Sequence, residues 1–412
     1  VNKMKADLNI TFYKETNFKE TPIGKIPEDW EIRRLDNIVT ECKTGIPVKQ
    51  QDRVRGPYPY FGANGIIDYV HDYIFDGEYV IVAQDGSIGA IHYFNGKFWA
   101  NNHVWVIKTK SFVFPKFLYY VFKTLNWKRL ATGSTRPKVT QQVLLRVDIQ
   151  LPPFPEQRAI AHVLSTVDEA IQKTNEIIEK TKRLKKGLMQ ELLTKGIGHK
   201  EFKDTEIGRI PKEWEVVRLK EVILEAKPGF ACGKRDENGV IQLRMDSIDT
   251  EGWINCKAYV KVPPPKNVRE YLLKPGDILF NNTNSVDLIG KTAIFRGEFS
   301  ECVYSNHLTR IRVNPVKTIP EWILYVLIRK WQLRIFRMLC HPHVHQAGIN
   351  KGDLLNLKIP LPPLDEQSKI AKVILTVDKK LKTEIKRKKK LEQVKKALMD
   401  LLLTGKVRIK VK

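Results

Sequence analysis

Two stretches of this chain occur twice, and the duplication restricts its fold more than any other feature. Leu151-Pro152-Pro153-Phe154-Pro155-Glu156-Gln157 returns as Leu361-Pro362-Pro363-Leu364-Asp365-Glu366-Gln367, and a long helical pattern follows each. Between residues 151–174 and 361–384, 11 of 24 positions are identical at an offset of 210, which Leu188-Met189 and Leu398-Met399 also keep. A second signature runs Phe18-Lys19-Glu20-Thr21-Pro22-Ile23-Gly24-Lys25-Ile26-Pro27-Glu28-Asp29-Trp30-Glu31. Its twin is Phe202-Lys203-Asp204-Thr205-Glu206-Ile207-Gly208-Arg209-Ile210-Pro211-Lys212-Glu213-Trp214-Glu215. Over 18–38 against 202–222, 11 of 21 positions match, now at an offset of 184. The offsets differ by 26 residues, so each half is a fixed frame around an insert that is longer in the second copy.

Apolar residues after the first motif fall at Ile160, Val163/Leu164, Val167, Ala170/Ile171, Ile177/Ile178, Leu184, Leu188 and Leu192. The second copy has Ile370, Val373/Ile374, Val377, Leu381, Ile385, Leu391, Val394, Leu398 and Leu402. This three-then-four rhythm predicts a coiled-coil seam, with Thr181 and Lys388 as polar occupants of it. Pro152, Pro153 and Pro155 end the preceding strand, and Gly196 and Gly405 stop the helices. About 37 residues per helix make a rod of roughly 55 Å. The obvious partner for each stripe is the other copy. Antiparallel packing would relate the halves by a pseudo-two-fold axis and bring residue 412 near residue 18. Two unrelated surface helices on a globular body are the alternative.

The inserts share an outline. Strands are expected at 78–84, 90–94 and 104–108, with a helix from Pro115 to about Leu130; the second insert repeats them at 276–280, 291–295 and 308–313, with a helix from Pro320. Asn102-His103 and Asn306-His307 precede the third strand. The fold class is therefore α+β (mixed α/β): a polar tail at 1–17, globular domains at 18–150 and 198–360, and helical spacers at 151–197 and 361–412.

A net charge of +25 and a pI near 9.7 point to a polyanion such as nucleic acid, against a basic protein with no such partner. Five scattered cysteines without C-x-x-C spacing suit free thiols in a reducing cytoplasm. With no apolar leader and no membrane-length apolar run, a soluble cytoplasmic chain is expected. Two basic heads on a spacer suit a duplex with two unlike half-sites about one turn apart, roughly 34 Å, which leaves a gap of about 5–8 bp.

Catalytic motifs are missing. Leu151-Pro152-Pro153-Phe154 imitates the base-holding loop of an adenine methyltransferase, but Leu stands where Asp or Asn must be, so a helix start is the better reading. Gly290-Lys291-Thr292 resembles the end of a phosphate loop, but Ser285 replaces its first glycine and the stretch reads as a strand. Cys340, His341, His343 and His345 are good zinc ligands, but no second cluster accompanies them, so DNA contact or a plain exposed loop is expected in preference to metal.

The paired signatures, the duplication and the two unlike inserts resemble the DNA specificity subunit of type I restriction-modification enzymes, over about residues 18–405. The resemblance implies a noncatalytic subunit with two target recognition domains reading a split, asymmetric sequence in double-stranded DNA. It also implies docking of two methylation subunits and two restriction/translocase subunits. No cofactor is expected on this chain; S-adenosylmethionine, ATP and Mg would sit on the partners.

Candidate DNA contacts in the first insert are Lys43, Lys49, Gln50, Arg53, Arg55, Gln84, Ser87, Arg136 and Lys138. In the second they are Lys234, Arg235, Arg244, Asn281, Asn282, Asn284, Ser285, His341, His343 and His345. Arg and Lys suit guanine, Gln and Asn suit adenine, and any one of them can instead be a phosphate contact or a solvated charge. Tyr58–Phe61 reads as core ahead of a base-stacking platform. Residues 364–412 carry 16 Lys/Arg against 6 Asp/Glu, which is either a solvated face or one turned to DNA or to acidic partner surfaces. A free-standing two-headed DNA-binding protein is the alternative, and the long seam argues against it.

Overall fold

The computed structural model describes residues 10–135, 137–342 and 346–411. The chain forms two compact units, Val1–Asn175 with Lys386–Lys412, and Glu176–Ile385. Both long helices, Phe154–Lys195 and Leu364–Leu403, pass through both units. Each unit therefore combines one globular body with a segment of each helix.

The repeated signatures meet each other inside each unit. In the first unit Phe18–Thr21 and Gly24–Pro27 form a hairpin whose turn needs Gly24, at φ +109°. Gly208 holds the same place in the second unit at φ +108°, between Phe202–Thr205 and Gly208–Pro211. The tryptophan that follows is fully buried in both cases. Trp30 donates its indole N–H to Glu156 (3.3 Å) and Trp214 donates to Glu366 (2.9 Å). The neighbouring glutamines bolt the helix start to the insert. Gln157 accepts from the Phe114 N–H and donates to the Phe112 and Pro152 carbonyls, while Gln367 accepts from Ile319 and donates to Lys317 and Pro362. The Leu-Pro-Pro segment is thus a helix start.

A basic side chain from beyond the end of the other helix completes each site. In the first unit Arg408 forks onto Glu156 and Asp29, all at 2.8 Å, and reaches Glu15 at 2.7 Å. In the second, His199 meets Glu366 at 2.8 Å. Arg408 lies on Val407–Val411, which pairs with Ile10–Lys14. Residues 10–14 are therefore a strand and not part of a polar tail, because the chain's last strand offers them a ladder of backbone partners.

The helices run antiparallel within each unit. In the first, Lys395 pairs with Asp168 (2.5 Å), which also accepts from the Tyr120 hydroxyl (2.8 Å). In the second, Lys185 pairs with Asp378 (2.6 Å), which accepts from Tyr325 (3.1 Å). The expected seam is displaced by one residue here. Leu184 is 55% exposed and Lys185 is 4% exposed, because the lysine stem fills the groove while its ammonium finds Asp378 and Glu251. Ile177, Val373, Ile385 and Val394 are likewise left on the surface, whereas Thr181 is buried, its hydroxyl bonded to the Ile177 carbonyl.

The first body has a six-stranded sheet in the order Val39–Thr44, Val104–Thr109, Phe75–Ala83, Ile91–Ala100, Arg55–Gly62, Gly65–Val70. Its central strand alternates. Val80 and Val82 pack toward the helix Pro115–Phe122, and Tyr79 and Ile81 pack into an aromatic core with Phe61, Phe75 and Phe98. Tyr60 and Phe61 are buried, so that stretch is core. The helix stops at Phe122 and a separate turn, Trp127–Leu130, follows. The second body orders its main sheet Ile223–Pro228, Leu308–Val313, Ile278–Asn281, Thr292–Ile294. A smaller sheet pairs Val240–Leu243 with Val260–Val262 and, in parallel, with Cys302–Tyr304. Its extra length includes an arm that reaches the helices, where Glu251 meets Lys185 and Trp253 stacks under Lys382 at 4.0 Å.

Arg408→Ala should cost the first unit about 3–5 kcal/mol in denaturant unfolding, because Glu156 stays buried without its cation. The Arg408 hydrogen bond holds the Asp29 carboxyl below its usual value, and the Asn17 N–H leads the same effect on Glu15. Such depressed groups stabilise fully above the ordinary carboxylate range and lose that contribution as pH falls through their folded values. Hydrogen-exchange protection of Ile10–Lys14 and Val407–Val411, taken relative to the intrinsic rate at each pH, should accordingly fall in acid. Lys185→Met should cost about 3–5 kcal/mol, whereas Lys395→Met, in a more exposed pair, should cost about 1 kcal/mol or less.

Candidate nucleic-acid interface

In each body, loops from four parts of the sequence are tied together by the same backbone bonds. Gln84 donates its N–H to the His103 carbonyl (3.0 Å) and its side-chain amide to the Asn102 carbonyl, and its own carbonyl accepts from Val139 (2.8 Å). Asn282 repeats this, donating its N–H to His307 (3.1 Å) and its side chain to Asn306 (3.1 Å), and accepting from Ile349 (2.9 Å). One amide residue therefore joins the loop after the central strand, the Asn-His turn and the segment before the next short helix. The fourth loop is admitted by a glycine. A Cβ on Gly45 would lie 1.8 Å from the Ala100 carbonyl oxygen, and one on Gly229 would lie 2.1 Å from that of Tyr304. Sequence reasoning overlooked these two positions, although Lys43-Thr44-Gly45 and Lys227-Pro228-Gly229 extend the offset of 184.

The first face presents Lys43, Lys49, Gln50 and Arg55 as exposed side chains. Arg53 is held by Asp68 (3.2 Å) and the Val48 carbonyl (3.1 Å), over the Tyr60 ring at 4.7 Å. Ser87 bonds Asn64. Asp85 accepts from His103 at 2.7 Å and lies 3.8 Å from the exposed Lys138 ammonium. These links give a half-buried carboxylate between an imidazole and an ammonium group. Arg136 lies outside the described residues.

On the second face Lys234, Arg235 and Ser285 are exposed, and Arg244 is half-buried. Asn281 and Asn284 are corrections. Asn281 is fully buried, donating to the Thr283 and His307 carbonyls and accepting from Asn284. Both amides brace the turn from beneath, a role their residue type could not distinguish from base reading. Asn282 spends its amide on Asn306 and Thr309. His341 is exposed beside Asp353 at 3.1 Å, and His343 and His345 lie outside the described residues. Among the described residues no cluster of metal-ligating side chains is present. Lys291, in the stretch that resembles a phosphate loop, is buried, and its ammonium donates to the Met245 and Ile248 carbonyls at 3.0 Å. Burial lowers its pKa. No helix among the described residues is long and apolar enough to cross a membrane.

Gly229→Ala should lower stability by about 1–3 kcal/mol by forcing a methyl against backbone. Gly233→Ala, with nothing within 4 Å, should be neutral in the same denaturation assay.

Comparison with known proteins gives this geometry a context. The chain matches the type I restriction modification DNA specificity domain over residues 27–183 and 211–395. It is 31% identical over 421 residues to the specificity subunit of the type I restriction enzyme MjaVIII of Methanocaldococcus jannaschii, covering 97% of this chain and 98% of that one. A crystal structure of the S subunit of a type I restriction-modification system from M. genitalium superimposes with a TM-score of 0.66 at 17% identity, covering 90% of this chain and 96% of that one. A chain from a structure concerned with assembly and conformational transition of the type I system gives 0.51 at 19% identity, covering 93% and 99%. The chain belongs to the family of DNA specificity subunits of type I restriction-modification systems.

Proposed function

We propose that this chain is a noncatalytic recognition subunit whose two loop faces each read one part of a bipartite, asymmetric DNA sequence. The observation that carries the reading is the shared loop scaffold with unlike side chains. Gln84 and Asn282 make the same three backbone ties, while the residues around them differ in charge, size and number. A constant scaffold with variable loops suits a constant duplex with variable bases. The net charge of +25 supplies the sequence-independent attraction to phosphate. Lys43, Lys49, Gln50, Arg55 and Lys138 on the first face, and Lys234 and Arg235 on the second, are the contacts favoured by exposure, and the half-buried Arg244 lines a cavity at the second face.

Two methylation subunits, and with them two restriction/translocase subunits, dock on the long helices. Leu184, Ile177, Val373, Ile385 and Val394 support this part of the proposal, because apolar side chains 36–55% exposed along helices are costly without a partner. S-adenosylmethionine, ATP and Mg belong to those partners, and the complex works on DNA in the cytoplasm.

Methylome sequencing of host DNA, with and without this gene and with the partner subunits expressed, tests the reading. Adenine methylation at one split, asymmetric motif with a fixed gap should vanish with the gene. An unchanged methylome would overturn the proposal in favour of a free-standing DNA-binding protein.

A further inference from the structure

The second body contains a cavity of about 470 Å³ at its loop face, lined among others by Cys232, Gln242, Arg244, Ser305 and His307. Arg244 follows the strand Val240–Leu243 and is held from two sides by neutral acceptors. Its Nε–H donates to Gln242 Oε1 (3.3 Å) and its Nη2 to the Cys232 carbonyl (2.8 Å). Gln242 is fully buried and is itself fixed by donating to the Phe230 carbonyl (3.1 Å). The backbone is equally constrained. The Arg244 N–H donates to Ser247 Oγ (2.7 Å), and the buried Lys291 ammonium binds the next carbonyl, that of Met245.

Both the position and the plane of the guanidinium are therefore set before any ligand arrives. Its charge is not spent. Asp246 lines the same cavity, but no carboxylate pairs with Arg244 among the described residues. Arg53 on the first face contrasts with it, being paired with Asp68 and stacked on Tyr60.

We infer that Arg244 reads a guanine in the half-site bound by this body, its free N–H donors forking onto O6 and N7. This rests on the DNA-recognition reading above. Guanine is favoured over phosphate by the way the side chain is held. A phosphate accepts a cation from many directions and is well served by a flexible exposed lysine such as Lys234. A base edge requires a fixed plane, and the Gln242–Cys232 clamp supplies one. Gln242 cannot be the reader, since both ends of its amide are engaged.

The test uses the complete complex with its methylation subunits, expressed in a host without adenine methylation of its own. The wild type should methylate one split motif with a G·C pair in the half read by the second body. Arg244→Gln and Arg244→Lys should make that single position degenerate, with a loss of guanine preference of roughly 5- to 150-fold, and leave the other positions intact. In parallel, 7-deazaguanine placed in turn at each guanine of the motif duplex should weaken wild-type binding at that position and not weaken the variants further. This second measurement needs no folded variant to show the effect on the wild type. Uniform loss of binding to all sequences, with a salt slope lower by about one, would assign Arg244 to a phosphate and overturn the inference. An unchanged motif, or no guanine sensitive to the N7 deletion in that half, would overturn it too. A wild-type complex that methylates no motif would instead defeat the DNA-recognition reading, so the two failures are distinguishable.

Discussion

A carboxylate at the start of each long helix, buried for Glu156 and half-buried for Glu366, is the group on which each unit depends. Glu156 and Glu366 take the indole N–H of a buried tryptophan from one signature and a basic side chain, Arg408 or His199, from beyond the end of the other helix. Removing a charge from water is expensive, and these sites offset that cost only when both partners arrive. The insert, the helix start and the returning helix must therefore be in register together. The two basic side chains differ, and so does the breadth of the tie. Arg408 collects Glu15, Asp29 and Glu156, drawing the first and last described strands into one assembly, while His199 faces Glu366 and, at 3.8 Å, Glu213.

With the frame held there, the inserts are free to vary at the loops. The shared ties of Gln84 and Asn282 use backbone carbonyls, which exist whatever the side chains are. Gly45 and Gly229 add close approach without a side chain. Recognition can change by substitution around these points without disturbing the scaffold. The second insert uses part of its additional length differently, sending Glu251 and Trp253 onto the helices.

Much of this was legible in the sequence because repeats report on structure without a partner to compare. The hairpin glycines, the buried tryptophans and the helix starts all fall where the two signatures coincide. Other elements were not legible. Leu184 and Lys185 are adjacent on the helix, and periodicity assigns the seam to the leucine. Only the presence of Asp378 and Glu251 reverses the choice. Asn281 has the residue type of an adenine reader, and its burial follows from a turn that no local pattern announces. The strand Ile10–Lys14 is polar enough to pass for a tail, since its stability comes from a partner near the other end of the chain.

The sequence by itself determined the duplication, the two long helices, the α+β inserts, the basic charge and the family resemblance, because these reside in residue order, spacing and composition. Only the tertiary structure decided which side of each helix is buried, which amides are braces and which remain free, and that Arg244 is clamped by neutral groups whereas Arg53 is neutralised. These outcomes depend on groups far apart in the chain being brought within hydrogen-bonding distance. The energy of a buried polar group is set by those neighbours and not by its own identity.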